Sequence, residues 1–153
     1  LAAVTLLIGT PPAPSYGGTN GGFSVWLYDD SSSQPGSALT TLSGSANPAT
    51  AGLYPYTASG VTLNASTTYW IVAQAGINSA YSWSGTNDYS EAGWIISDLR
   101  AFSTTSGVAW SVFGSNDVQQ FSVSVAAIPE PASVGLMIGS LALALGVWCR
   151  KRI

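Results

Sequence analysis

Apolar and polar residues alternate with a period of two along several short stretches of the chain before position 127. In FSVSVA at 121–126, Phe121, Val123 and Val125 lie on one side and the serines on the other. This period is typical of a β-strand with one buried face, because successive side chains of a strand point to opposite sides. The pattern predicts strands at 3–8, 23–28, 38–42, 54–58, 60–63, 67–75, 80–84, 93–96, 108–113 and 121–126.

The segments between these strands are rich in turn-forming residues, as in DDSSSQPG at 29–36. No stretch before Pro129 keeps a helical period over ten residues. Many short strands joined by turns, without helical crossovers, predict an all-β fold, and in particular an antiparallel β-sandwich of jelly-roll-like form. The stretch at 67–75, TTYWIVAQA, is apolar on both faces, so it is predicted to be a central strand.

The end of the chain departs from this pattern, because residues 133–148 form a run of sixteen residues without a charge. As a helix with a rise of 1.5 Å per residue the run spans about 24 Å, and flanking residues bring it closer to the roughly 30 Å of a bilayer core. A helix buried in a protein core is the alternative, but such a helix should carry a polar stripe, and this run is apolar on every face. We therefore predict a single C-terminal transmembrane helix at 132–148, followed by a basic tail at 149–153.

Three of the four basic residues of the chain, Arg150, Lys151 and Arg152, follow this helix. Basic residues beside a membrane segment stay on the cytoplasmic side, so the C-terminus is predicted to be cytoplasmic and residues 1–128 to lie outside.

Pro129, Glu130 and Pro131 precede the helix. The two prolines favour an extended backbone and leave Glu130 on a linear segment that a protease can reach. The Pro-Glu-Pro motif, the apolar helix and the basic terminus, in this order, resemble the PEP-CTERM sorting signal of Gram-negative bacteria. The resemblance implies an exosortase as partner, which recognises the chain in the inner membrane, cuts it near the motif at 129–131, and passes it to the cell surface or to exopolysaccharide. A permanent anchor that is never cut is the alternative.

The composition narrows the classes of function. Charged residues make up only 7% of the chain, and all seven acidic residues precede the basic tail. Before that tail Arg100 is the only basic residue, so the basic surface that nucleic-acid binding requires is missing and this class is excluded. Aromatic residues make up 11%, including six tryptophans, which indicates a packed core instead of a disordered chain.

The chain contains no histidine, and its one cysteine, Cys149, lies beside the basic tail. Histidine-based catalysis, sites built from Cys and His ligands, and an intrachain disulfide are therefore excluded from residues 1–127. We predict no catalytic residue, no cofactor, no metal and no enzymatic activity.

Two groups of acidic residues are candidates for cation sites. Asp88 and Glu91 lie three positions apart in a polar loop, but a Ca²⁺ ion needs six to eight oxygen ligands and the local supply is small. Solvated loop residues are the favoured interpretation, with a cation site and a catalytic pair as alternatives. Asp29 and Asp30 are predicted to form a turn in which their side chains accept hydrogen bonds from backbone amides.

Aromatic residues are concentrated in the second half of the body, as we call residues 1–127. Tyr81, Trp83, Tyr89 and Trp94 are candidates for a glycan-binding surface. Core packing is the favoured alternative for each, because large aromatic side chains also fill the cores of β-sandwiches.

The body also has a family likeness. The segments SVWLYDDSSSQPGSALTTLSG at 24–44, VTLNASTTYWIVAQAG at 61–76 and YSWSG at 81–85 resemble the choice-of-anchor domains of bacterial surface proteins, most closely type R. The resemblance implies an extracellular domain at 1–127 that is missing N-terminal strands and a signal peptide, joined to a sorting signal at 128–153. The predicted function is that of a structural or interaction protein of the cell surface or biofilm matrix, and the alternative is a carbohydrate-binding module.

Overall fold

The computed structural model describes residues 1–10, 22–76, 79–88, 90–91, 93–114 and 118–126. These residues form twelve β-strands and no helix, so the predicted all-β class is confirmed. The strands are β1 (Ala3–Ile8), β2 (Ser24–Asp30), β3 (Pro35–Leu42), β4 (Gly52–Thr57), β5 (Tyr69–Gln74), β6 (Gly85–Thr86), β7 (Ser90–Glu91), β8 (Trp94–Ile95), β9 (Leu99–Phe102), β10 (Ser111–Gly114), β11 (Val118–Gln119) and β12 (Phe121–Ser124).

Two three-stranded sheets organise the fold. One has the order β12–β1–β4 and the other the order β3–β2–β5. The remaining strands form the pairs β10–β9, β11–β6 and β7–β8. Every pair of neighbouring strands within the described residues is antiparallel.

The core draws on the middle strands of both sheets. In β1 the alternate residues Val4, Leu6 and Ile8 are buried, and in β2 Val25 and Leu27 are buried in the same alternating way. These side chains, apart from Leu27, join one apolar cluster that also contains Phe23, Leu42 and Tyr56. Burying each large aliphatic side chain stabilises the fold by about 1.5–3 kcal/mol, so the predicted alternation of β1 and β2 provides the core.

The two sheets are joined on one side, where β3 and β4 meet. An isolated bridge pairs Ser43 with Thr57, and the Tyr56 hydroxyl donates a hydrogen bond of 3.0 Å to the Ser45 carbonyl. Gly44 lies against the Tyr56 ring so closely that a Cβ atom there would come within 2.3 Å of the ring. A side chain at this position would collide with the Tyr56 ring, which explains why a glycine follows the bridge residue Ser43.

The turn after β2 has the predicted form. Asp29 Oδ1 accepts a hydrogen bond from the Ser37 amide, and Asp30 Oδ2 accepts one from the Ser33 amide at 3.2 Å. Ser32 and Ser33 have φ angles of 57° and 63°, a left-handed conformation that tight turns require. The carboxylates therefore hold the turn, as the sequence predicted.

Three strand predictions need correction. β5 lies at the end of its sheet within the described residues, and not at the centre. It is apolar on both faces because Ile71 and Ala73 pack against the core cluster while Trp70 and Val72 lie on the other face. Residues 60–63 form no strand, and 80–84 contribute only a single bridge between Trp83 and Ile8.

The predicted helix at 132–148 lies outside the described residues. Within the described ranges no helix is long and apolar enough to cross a bilayer.

Candidate functional site

The residues of the predicted sorting signal lie outside the part of the chain that the structure describes. They are Pro129, Glu130, Pro131, Arg150, Lys151 and Arg152. Tyr89 also lies outside it, and for Glu91 only the backbone, in β7, is described.

Asp88 is exposed. Its backbone amide donates a hydrogen bond of 3.1 Å to Thr86 Oγ1. Among the described residues, no group of three or more His, Cys, Asp or Glu side chains lies close enough together to hold a metal ion.

Tyr81 and Trp83 are half-buried and pack against the core cluster. The Tyr81 ring meets the Phe23 ring edge-on with centroids 4.7 Å apart, and burial raises the pKa of the Tyr81 hydroxyl. Trp83 Nε1 donates a hydrogen bond of 2.8 Å to the Gln120 carbonyl, which ties it to the segment before β12. These contacts favour core packing for both residues over a glycan-binding role.

Trp94 has a different environment, because it lies in the short strand β8 and 39% of its surface is exposed. Its neighbour Ile95 is completely exposed. Of the four aromatic candidates from the sequence, Trp94 is the one that the described structure presents to solvent.

A large groove, which we call the β5 groove, lies beside β5 and has a volume of about 2160 Å³. Its lining comes from both faces of β5, the segment 60–68, the β9–β10 pair with its connecting loop, and β12. Tyr81, Trp83 and Trp94 contribute to the lining, so the structure brings these three sequence candidates to one cavity.

Further aromatic side chains come together in the lining of the β5 groove. Tyr28 and Trp70 are direct cross-strand partners between β2 and β5, and both line the groove with Trp110. The Tyr28 and Trp110 rings meet edge-on with centroids 6.1 Å apart. Trp70 Nε1 donates a hydrogen bond of 2.8 Å to Asp30 Oδ1, so the turn after β2 fixes the orientation of this indole.

Trp26 lies two residues before Tyr28 and therefore on the same face of the sheet. Its Nε1 donates a hydrogen bond of 3.1 Å to Ser24 Oγ. We refer to Trp26, Tyr28 and Trp70, all half-buried, as the aromatic face. The alternation in 23–28 predicts that Trp26 and Tyr28 point away from Val25 and Leu27, but it does not reveal that Trp70 and Trp110 lie beside Tyr28.

The lining of the β5 groove also includes Arg100, which stands over the Phe113 ring at 5.2 Å from its centroid. In the amide orientation that satisfies both of its neighbours, Gln119 accepts a hydrogen bond of 3.1 Å from Arg100 Nη1 and donates one of 2.7 Å to the Trp83 carbonyl. Arg100 Nε and Trp110 Nε1 are buried donors with no acceptor among the described residues. A buried donor without a partner costs about 1–3 kcal/mol, so these two atoms need an explanation.

The β5 groove is close to electrically neutral. Among its described lining residues, Asp30 and Arg100 are the charged side chains, one of each sign. The aromatic rings and hydroxyl groups of this lining therefore fit uncharged, hydrogen-bonding molecules better than ions.

Comparison of the chain with protein-family models, with curated proteins and with solved structures gives no match. The two resemblances thus depend on the sequence motifs described above.

Proposed function

We propose that the chain is an exported structural or interaction protein of the surface or biofilm matrix of a Gram-negative bacterium, and that an exosortase sorts it through its C-terminal signal. The observation that carries this proposal is the order of three features at the end of the sequence. Pro129-Glu130-Pro131 is followed by the uncharged run at 133–148 and then by Arg150-Lys151-Arg152. In the proposed pathway the helix at 132–148 holds the precursor in the inner membrane, and the enzyme cuts near the motif.

The body supports this proposal through its fold class and its charge. Soluble globular domains carry charged residues at roughly 25%, and this chain has 7%. We further propose that the two three-stranded sheets pack as an antiparallel sandwich of jelly-roll-like form. Their middle strands share one apolar cluster, and the bridge between Ser43 and Thr57 joins the sheets on one side. The fold of a choice-of-anchor domain is part of the same proposal.

The test follows the C-terminus of the full chain, produced behind an export signal in a Gram-negative host with and without an exosortase. We expect membrane-associated precursor in both hosts and, with the enzyme, a mature form whose last peptide ends near Pro131 by mass spectrometry. Glu130→Ala should leave the precursor uncut. Glu91→Ala, the same change at an acidic residue of the body, should be processed normally.

Two results would contradict the proposal. One is an intact Arg-Lys-Arg-Ile terminus in most copies when the enzyme is present, which would indicate a permanent anchor. The other is a full-length chain in the cytosolic fraction with none in the membrane, which would remove the membrane segment altogether.

The alternative function, a carbohydrate-binding module, is favoured by one observation of its own, the aromatic lining of the β5 groove. In this lining the sequence candidates Tyr81, Trp83 and Trp94 are joined by Tyr28, Trp70 and Trp110, which the sequence did not suggest.

A further inference from the structure

We propose that the β5 groove and the adjoining aromatic face bind a neutral polysaccharide chain, whose sugar rings stack on Trp26, Tyr28 and Trp70. This inference goes beyond the sorting of the protein and does not depend on it, because it concerns residues of the body only.

The size of the groove indicates a polymeric ligand. Sites for small molecules have volumes of about 300–1,000 Å³, whereas the β5 groove has about 2160 Å³ and is open to solvent. A small molecule would leave most of this space filled with water. A polymer chain that runs along β5 can contact more of this lining than a small molecule can.

The aromatic face has the spacing of a stacking surface. Trp26 and Tyr28 are successive residues on one face of β2, which places them about 6.6–6.8 Å apart along the strand. Trp70 lies directly across from Tyr28 on β5, so three rings share one side of one sheet. Pyranose rings have an apolar face of C–H groups that packs against an aromatic ring while their hydroxyl groups point sideways, and successive sugar units repeat this contact along the chain.

The rings of the aromatic face are held in place before any ligand arrives. Trp26 Nε1 is bonded to Ser24 Oγ and Trp70 Nε1 to Asp30 Oδ1, so both indole N–H groups are satisfied within the protein. Binding on the ring faces then breaks no hydrogen bond of the protein. Rings with fixed orientation also lose little conformational freedom on binding, which is the advantage of rigid aromatic anchors.

The lining also offers polar partners of the right kind. Hydroxyl groups of Ser103, Thr104 and Ser106 line the groove. A hydroxyl group both donates and accepts hydrogen bonds, so these side chains can pair with the hydroxyl groups and the ring oxygens of a sugar.

The charges of the groove select against an acidic polymer. Arg100 is offset by Asp30 within the lining, and the rest of the body carries acidic side chains without further basic ones. A polyuronate would meet repulsion from this surface, while a neutral glucan would not.

The test is affinity electrophoresis of the full chain in a zwitterionic detergent, which avoids detergents with sugar headgroups. Native gels contain either hydroxyethylcellulose, a soluble neutral β-glucan, or alginate, a polyuronate. We expect retardation by hydroxyethylcellulose and little by alginate. Trp26→Ala should weaken binding about tenfold, the loss expected for a central aromatic contact. Trp70→Phe, which keeps a ring but loses the bond to Asp30, should weaken binding less.

Leu53→Ala is the control, because Leu53 is an exposed apolar residue of β4 that lies outside both the β5 groove and the aromatic face. Its affinity should stay within about twofold of the wild type. Near-ultraviolet circular dichroism checks that each variant is folded, and Trp26→Leu replaces Trp26→Ala if the smaller side chain unfolds the protein.

Three results would overturn the proposal. They are no retardation of the wild type by the neutral glucan, stronger retardation by alginate than by hydroxyethylcellulose, and loss of binding in Leu53→Ala with binding retained in Trp26→Ala. None of them affects the sorting proposal, whose tests change residues 129–131 and measure the C-terminus.

Discussion

The core cluster and the wall of the β5 groove are built from similar residues in different environments. In the cluster, Leu6 and Val25 are completely buried and Tyr56 nearly so. On the groove wall, Phe102 and Phe113 meet edge-on at 5.9 Å, yet they are 52% and 40% exposed. The difference teaches that the two three-stranded sheets hold the fold, whereas apolar side chains of the β9–β10 pair are left available for contacts outside the body.

The largest effect should come from removing a buried side chain at the centre of the cluster. Leu6→Ala leaves a cavity beside Val25 and Phe23 and is expected to lower the free energy of unfolding by about 2–5 kcal/mol. Urea denaturation followed by tryptophan fluorescence measures this loss. Leu53→Ala is the control, because Leu53 is 70% exposed and the same change there should cost less than about 0.5 kcal/mol. Equal losses at the two leucines would show that the cluster is not the centre of stability.

The contact between Gly44 and Tyr56 should show the cost of overfilling the side on which the sheets are joined. Gly44→Ala places a Cβ atom 2.3 Å from the Tyr56 ring, and the ring or the backbone must move. We expect a loss of about 1–3 kcal/mol in the free energy of unfolding. Gly114→Ala, where the nearest atom lies at 3.9 Å, is the matched control and should be close to neutral. An unchanged stability of Gly44→Ala would mean that this side is loosely packed.

The buried hydroxyl of Tyr56 should make the cluster sensitive to high pH. Burial, followed by the nearby Tyr54 and Tyr81 side chains, raises the pKa of Tyr56 from 10.0 to about 12. Because the folded protein holds this proton more tightly than the unfolded chain, the resulting stability is fully present below pH 10 and is lost as the pH rises toward 12. Denaturation midpoints measured between pH 8 and pH 11.5 should therefore fall.

Tyr56→Phe provides the control for this pH dependence. It removes the ionisable group together with the hydrogen bond to the Ser45 carbonyl, so we expect a lower stability at pH 8 by about 1 kcal/mol and a shallower fall above pH 10. A fall of equal steepness in both proteins would assign the effect to other tyrosines.

The two regions also differ in how far the sequence predicts them. The alternation in β1 and β2 identifies their buried residues because one face of each strand meets the core cluster. β9, with the sequence Leu-Arg-Ala-Phe, is missed because Arg100 interrupts the apolar pattern, although its guanidinium lies over Phe113 in the folded chain. A local sequence pattern does not show which residues, distant in the sequence, a side chain contacts in the folded protein.

Prediction of the candidate site from the sequence is limited for the same reason. That Trp26 and Tyr28 share a face follows from the period of two. That Trp70 lies across from Tyr28 depends on the register between β2 and β5, which is fixed by contacts 42 positions apart in the chain and has no local signal. The edge position of β5 is hidden for a related reason, since a strand that is apolar on both faces can be covered by a second sheet or can line a groove.

The smallest change in stability is expected when the Phe113 ring on the groove wall is removed. This change should also separate the two regions most sharply. Phe113 is 40% exposed and contacts Phe102 and Arg100, so Phe113→Ala should lower the free energy of unfolding by about 1 kcal/mol or less, well below the loss at Leu6. The same variant removes the ring that the Arg100 side chain covers, so the Arg100 side chain is free to move. The free energy of binding to hydroxyethylcellulose should therefore change more than the free energy of unfolding. Urea denaturation and affinity electrophoresis of one preparation measure both quantities. A loss of stability as large as that of Leu6→Ala would place Phe113 in the core and would contradict the division between the cluster that folds the body and the wall that is open to a ligand.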